Sequence, residues 1–153
     1  MTQKLYYEDL EPGRCFESRV HELTEEELIG FARQYDPQFF HTDPEAARDS
    51  VFNGLAASGW HTCALSMRLI TDSPLGRVAN GLVGMQIDSL RWPVPTRAGD
   101  TLRVEVEVLE RRVSSSQPKF GVVRLRWTTR NQRNEIAMQL ENAIWAARRP
   151  QVG

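Results

Sequence analysis

The apolar positions of this chain change period near residue 80, which divides it into a helical first half and a strand-rich second half. Upstream, Leu28, Phe31, Ala32 and Tyr35 recur at i, i+3, i+4 and i+7, the spacing of one buried helix face. Thr24 followed by Glu27 has the form of a capping box, and Leu23 with Leu28 has the spacing of a hydrophobic staple, so the helix starts near residue 24. Pro37 biases its predecessor away from helical backbone, which ends the helix near Asp36 and presents that carboxyl at a helix end. Asp43-Pro44 reads as the N-cap and first residue of a short helix through about Asp49. Asn53-Gly54 marks a turn. From about Gly59 to Thr71, the residues Trp60, Cys63, Ala64, Leu65, Met67, Leu69 and Ile70 make a helix apolar almost all round, one that the rest of the fold should enclose.

Downstream the period falls to two. Val83, Met85 and Ile87 alternate before the phase slips to Leu90 and Trp92, which predicts a bulge or bend. Leu102, Val104, Val106 and Val108 alternate, as do Val123, Leu125 and Trp127, and then Ile136, Met138 and Leu140 with Ile144 and Ala146 in phase. Turn-forming stretches at 93–100, 114–118 and 131–134 separate these runs. With an early strand over Arg14 to Val20, after the turn signal Glu11-Pro12-Gly13, the pattern is an antiparallel sheet wrapped around a buried helix. That is an α+β layout.

Length and charge narrow the function. The 153 residues suit one domain with a real core. Nineteen Lys and Arg nearly cancel twenty Asp and Glu, without the basic excess of a nucleic-acid-binding protein. Arg111-Arg112, Arg124 with Arg126, and Arg148-Arg149 read as solvated faces, with a phosphorylated ligand as the alternative. Two distant cysteines, Cys15 and Cys63, fit neither a disulfide framework nor a metal site, and Cys63 reads as a small core residue. The start, MTQKLYYEDLEPG, carries charges where a signal peptide needs an apolar stretch, and no apolar run approaches the roughly 20 residues of a membrane span. A cytoplasmic protein is expected. No glycine-rich nucleotide fingerprint or metal cluster occurs in the sequence, so no bound cofactor or metal is expected.

The candidate chemistry is concentrated in Asp36-Pro37-Gln38-Phe39-Phe40-His41, with Gly59 opening the next long helix. A carboxylate, an imidazole and unpaired backbone N–H groups are the minimum set for moving protons beside an activated carbonyl. The apolar neighbours Phe39, Phe40 and Trp60 would tune the pair, since burial raises a carboxylate pKa and lowers that of histidine. Singly, each residue has an ordinary reading: Asp36 as a turn residue, His41 as a surface group, Gly59 as a helix-start glycine. Ser58 reads as a cap for the helix and a possible ligand contact. His61 reads as a structural or surface residue, with substrate contact as the alternative, His21 has no evident chemistry, and the four tryptophans read as core or subunit-interface residues.

Three segments carry a resemblance: Phe31-Ala32 with Asp36, His41 and Asp43-Pro44; Ala57-Ser58-Gly59; and Trp92-Pro93-Val94 with Gly99-Asp100-Thr101-Leu102. In this order the chain, from about Tyr7 to Arg148, resembles the MaoC-like dehydratase family of hotdog-fold proteins, which includes (R)-specific enoyl-CoA hydratases. Gln38 and Phe39 stand where those enzymes usually have Asn and Pro. The resemblance implies a single hotdog domain over residues 1–153, a catalytic dyad at Asp36 and His41, and an oxyanion-binding N–H at Gly59. Ser58, Trp60 and Phe40 would line the substrate. It further implies an acyl-CoA or acyl-carrier thioester as substrate and a homodimer or dimer of dimers, its sheets joined edge to edge. The rival readings are a hotdog thioesterase and a non-catalytic acyl-thioester binding protein.

Overall fold

The computed structural model describes residues 3–151. Its framework is one curved sheet built from β1 (Cys15–Glu17), β2 (His21–Glu22), β3 (Val83–Arg91), β4 (Thr101–Val113), β5 (Phe120–Arg130) and β6 (Ile136–Ala147). The strands run antiparallel in the order β1-β4-β5-β6-β3, with β2 also on β4. The helices are α1 (Glu25–Tyr35), the single turn α2 (Phe39–Thr42) and α3 (Gly59–Thr71).

The alternation in β4 sets the inner face. Leu102, Val104, Val106 and Val108 are fully buried, as are Val123 and Leu125 of the adjoining β5, where Leu125 pairs with Val108. Burying each such side chain contributes roughly 1.5–3 kcal/mol. Leu69 and Ile70 of α3 pack onto this surface with Trp127, Met138 and Ile144. A helix held in the curve of an antiparallel sheet is the hotdog arrangement that the resemblance implies. The register shift between Ile87 and Ser89 on β3 lies where the apolar phase slips. No helix among the described residues is long and apolar enough to cross a membrane.

Several elements differ from the sequence reading. Of the strand expected over Arg14 to Val20 only Cys15–Glu17 forms, because Ser18 ends it: its Oγ accepts the Val104 N–H at 2.9 Å in place of a ladder carbonyl, and β2 follows beyond the expected bounds. Thr24 caps α1 by accepting the Glu27 N–H at 3.1 Å, but the box is not reciprocal, since the Glu27 carboxylate pairs with His21 Nε2 at 2.8 Å. Leu28 and Ala32 of α1 are buried, whereas Tyr35 is 66 % exposed. The segment after Asp43 is a 3-10 turn at Ala46–Asp49, with Asp43 Oδ1 accepting the Glu45 and Ala46 N–H groups. Helix α3 has the expected bounds but is not enclosed: Trp60 is 60 % exposed, and Met67 is also exposed.

Candidate active site

Asp36 ends α1 as its C-cap, with φ −154° and ψ 68°, the non-helical geometry that Pro37 favours. The chain then makes the α2 turn, and His41 enters the interior while its neighbour Phe39 stays exposed. Ala56 N–H donates to Phe40 O at 3.0 Å and Ala57 N–H donates to Thr96 O at 2.8 Å, tying α2 and the 93–96 loop to the segment that leads into α3. Three distant stretches of chain are thereby fixed around one point.

At that point His41 Nε2 lies 3.4 Å from Asp36 Oδ2. Both side chains are largely out of solvent. The other ring nitrogen, Nδ1, sits 2.6 Å from the carbonyl oxygen of Ala56, which only accepts, so Nδ1 carries a proton. Neutral His41 therefore turns a bare Nε2 lone pair toward the carboxylate, and the imidazolium form donates to it. One proton is enough to interconvert the two states.

Asp36 is held by further donors. Gln38 Nε2 donates to Oδ1 at 2.6 Å and Ser58 Oγ donates to Oδ2 at 2.7 Å. Burial alone would raise its pKa, but these bonds and the nearby His41 charge outweigh that effect and hold it below the usual carboxylate value. Asp36 is thus ionised at neutral pH. Phe40 packs edge-on against His41 with centroids 4.5 Å apart, and Phe52 packs edge-on against Phe40. Phe40 supports the imidazole from behind and does not line the cavity.

A cavity of about 390 Å³ opens over the pair. Asp36, His41, Gly59, Trp60, Thr62, Trp92 and the loop Pro93–Thr96 line it, together with Phe52, Ala57 and Ala137. Gly59 is the first residue of α3, where backbone N–H groups lack intrahelical acceptors and the helix end carries partial positive charge. The indole of Trp92 covers Gly59 and donates from Nε1 to its carbonyl oxygen at 3.0 Å. A Cβ at position 59 would lie 2.6 Å from Trp92 Cε2, so the contact requires glycine. Trp60 stands edge-on to Trp92 at the mouth. Five of the six sequence candidates (Asp36, His41, Ser58, Gly59 and Trp60) therefore converge, and Phe40 stands one layer back. Trp92 and the 93–96 loop are cavity residues that the sequence reading gave to the core or a subunit interface and to a turn; the Trp-Pro pair ahead of Gly99-Asp100 was their visible signal.

The remaining groups lie elsewhere. His61 is buried and stacked on Phe31 at 4.4 Å, its Nδ1 without a partner. Burial holds its pKa below the ordinary imidazole value; Glu27 opposes that shift and His21 adds to it. Cys63 is half-buried beside Met138. Most of the arginines considered for a phosphorylated ligand are engaged within the chain: Arg111 by Tyr7 and Glu8 carbonyls, Arg124 by Asp88 and Glu110, Arg126 by Glu107 and Glu141, Arg148 by Glu8, and Arg149 by Asp9, whereas Arg112 is exposed. Among the described residues no group of three or more His, Cys, Asp or Glu side chains is placed to hold a metal ion.

Comparison with known proteins matches residues 9–131 to the family described as MaoC like domain. The structure of a MaoC-like dehydratase from Rhodospirillum rubrum is 44 % identical, with a TM-score of 0.92 over 96 % of this chain and 99 % of that one. The R-hydratase PhaJ1 from Pseudomonas aeruginosa, in unliganded form, is 27 % identical with a TM-score of 0.74, over 98 % of this chain and 92 % of that one. The uncharacterized protein YdeM of Bacillus subtilis (strain 168) is 28 % identical over 133 residues, 86 % of this chain and 92 % of its own.

Proposed function

The chain belongs to the MaoC-like dehydratase family, and from that premise we propose that it hydrates trans-2-enoyl thioesters to (R)-3-hydroxyacyl thioesters, or runs the reverse dehydration. The observation that carries this reading is the convergence of Asp36 Oδ2 and His41 Nε2, 3.4 Å apart, in a cavity that also contains the N-terminus of α3. A water donating one hydrogen to each acceptor is oriented by both. As its oxygen bonds to C3, its proton passes to the dyad, and the C2=C3 electron pair moves through C2 onto the thioester oxygen. The Gly59 N–H meets that developing charge; such a donor is typically worth about 3 kcal/mol of transition-state stabilisation. The charge then returns to C2, which takes a proton from the dyad. Dehydration uses the same groups in reverse.

Ser58 holds Asp36 in this scheme, and Trp60 and Trp92 cover the substrate at the mouth. The substrate class is an acyl-CoA or acyl-carrier thioester, and the protein needs no cofactor beyond it. We further infer a cytoplasmic homodimer or dimer of dimers. Its support is β3, which among the described residues pairs only with β6 and carries the exposed apolar residues Val83, Met85 and Ile87. An unpaired apolar edge is a place for another strand.

The test is a panel of trans-2-enoyl-CoA thioesters of increasing chain length. The conjugated enoyl absorbance and free thiol are followed together. Loss of absorbance without thiol release is expected; thiol release would assign a thioesterase, and silence in both channels across the panel would leave a binding protein.

A further inference from the structure

Ser58 occupies the N-cap position of α3, and its side chain does not cap the helix. The other hydroxyl N-caps of this chain behave in the ordinary way. Thr24 accepts the Glu27 N–H of α1 at 3.1 Å, and Ser73 accepts the Leu75 N–H of its 3-10 turn at 3.3 Å. Serine at this position normally satisfies one of the orphan N–H groups and is worth about 1 kcal/mol there. Ser58 instead sends its hydroxyl away from the helix, to Asp36 Oδ2 at 2.7 Å, and it is completely buried. The accepting oxygen is the one that faces His41.

The same face of α3 continues this behaviour at four-residue intervals. Thr62 Oγ1 donates to Thr96 at 3.1 Å, in the loop behind the cavity, and Ser66 shares a 2.6 Å bond with Thr129 of β5. Beside its buried residues His61, Leu69 and Ile70, helix α3 is thus anchored by three hydroxyls, each reaching a different element. Only the first of them reaches an ionised group.

We propose that Ser58 is a positioning residue that joins the two halves of the site: placed immediately before Gly59, it withholds its hydroxyl from the helix and fixes the Asp36 carboxylate toward His41 beside the N–H end of α3. This rests on the hydratase reading above. An N-cap bond of the Thr24 type would go instead to the N–H of His61, which already donates to the Ser58 carbonyl at 2.9 Å, and would leave Asp36 with one neutral donor, from Gln38. Because the bond is made to the charged form of the carboxyl, its removal moves the Asp36 titration toward higher pH.

The experiment compares Ser58→Ala with the wild-type protein by carbon-13 NMR titration of the Asp36 carboxyl, alongside the enoyl-CoA assay. A folded S58A is expected to show the Asp36 midpoint at higher pH and kcat reduced about tenfold or more. Ser58→Thr, which keeps the hydroxyl, restores the midpoint. Should S58A not fold, Ser58→Cys, close in shape with a much weaker donor, gives the same reading. An unmoved midpoint in a folded donor-deficient variant overturns the proposal, as does an activity loss with no change in the titration. The NMR arm needs no turnover, so a wild-type protein inactive on every enoyl-CoA would defeat the hydratase reading while leaving the Ser58–Asp36 coupling to be decided by the titration alone.

Discussion

Two regions beside α3, the cavity at its N-terminus and a groove along its flank, reverse the usual distribution of polarity in opposite ways. At its N-terminus an ionised carboxylate, an imidazole and a serine hydroxyl are largely or completely buried. Along its flank, Met67 and the β3 residues Met85 and Ile87 lie exposed around an apolar groove of about 490 Å³, with Ile87 58 % accessible. Buried charge is costly unless it is satisfied, and at the first end it is satisfied almost atom by atom. Exposed apolar area is ordinary when scattered and informative when contiguous. We read the first inversion as the proposed chemistry and the second as the seat of the proposed partner.

The sharpest break at the chemical end removes the dyad. Asp36→Ala or His41→Ala should lower kcat at least a hundredfold, the usual scale for an acid–base group, with thermal unfolding as the control for folding. Next comes the aromatic cover. Gly59→Ala places a methyl against the Trp92 indole and should destabilise by about 1–3 kcal/mol. Adding Trp92→Phe should recover part of that loss, read as a coupling energy in a double-mutant cycle.

The flank is probed by Ile87→Glu, which introduces a charge into the exposed apolar edge. Sedimentation velocity should show dimer dissociation shifted at least tenfold, about 1.4 kcal/mol. A wild-type protein that is monomeric at every concentration would remove the partner from the account.

The smallest effect concerns His61. Its pKa lies below the ordinary 6.5 because of burial, so on acidification the unfolded chain takes up the proton before the folded one does. The stability is full above that value and declines as pH falls below it. His61→Phe should flatten this part of the stability–pH curve, as followed by denaturant midpoints.

How much was legible in the sequence follows the same division between local and distant causes. The bounds of α3, the inward phase of β4 and the slip in β3 are local patterns, and each appears in the structure where its period places it. The end of α1 at Asp36 follows from one proline. Tyr35 has the right helical phase but lies beyond the surface that covers Leu28 and Ala32, so its exposure depends on tertiary contacts. The one-turn helix carrying His41 is too short to be stable alone and depends on bonds such as Ala56 N–H to Phe40 O. Thr24 and Glu27 have the capping spacing, yet β2 supplies His21 and takes the glutamate away. In the site, Asp36, His41 and Gly59 stood out by residue type and order. The role of Trp92 did not, because its contact with Gly59 spans 33 residues of chain. Ser58 was legible as a cap by position, but the hydroxyl bonds to a carboxylate 22 residues upstream.

The central claim is that water, activated between Asp36 and His41, adds to C3 of an enoyl thioester. Its most direct test is incubation with a trans-2-enoyl-CoA in oxygen-18 water, followed by mass analysis of every product. The expected product is a 3-hydroxyacyl-CoA with the heavy oxygen at C3 and the thioester intact, formed by the wild type and lost in the Asp36→Ala protein. Heavy oxygen in a released carboxylic acid, or label at C3 undiminished without Asp36, would contradict the claim.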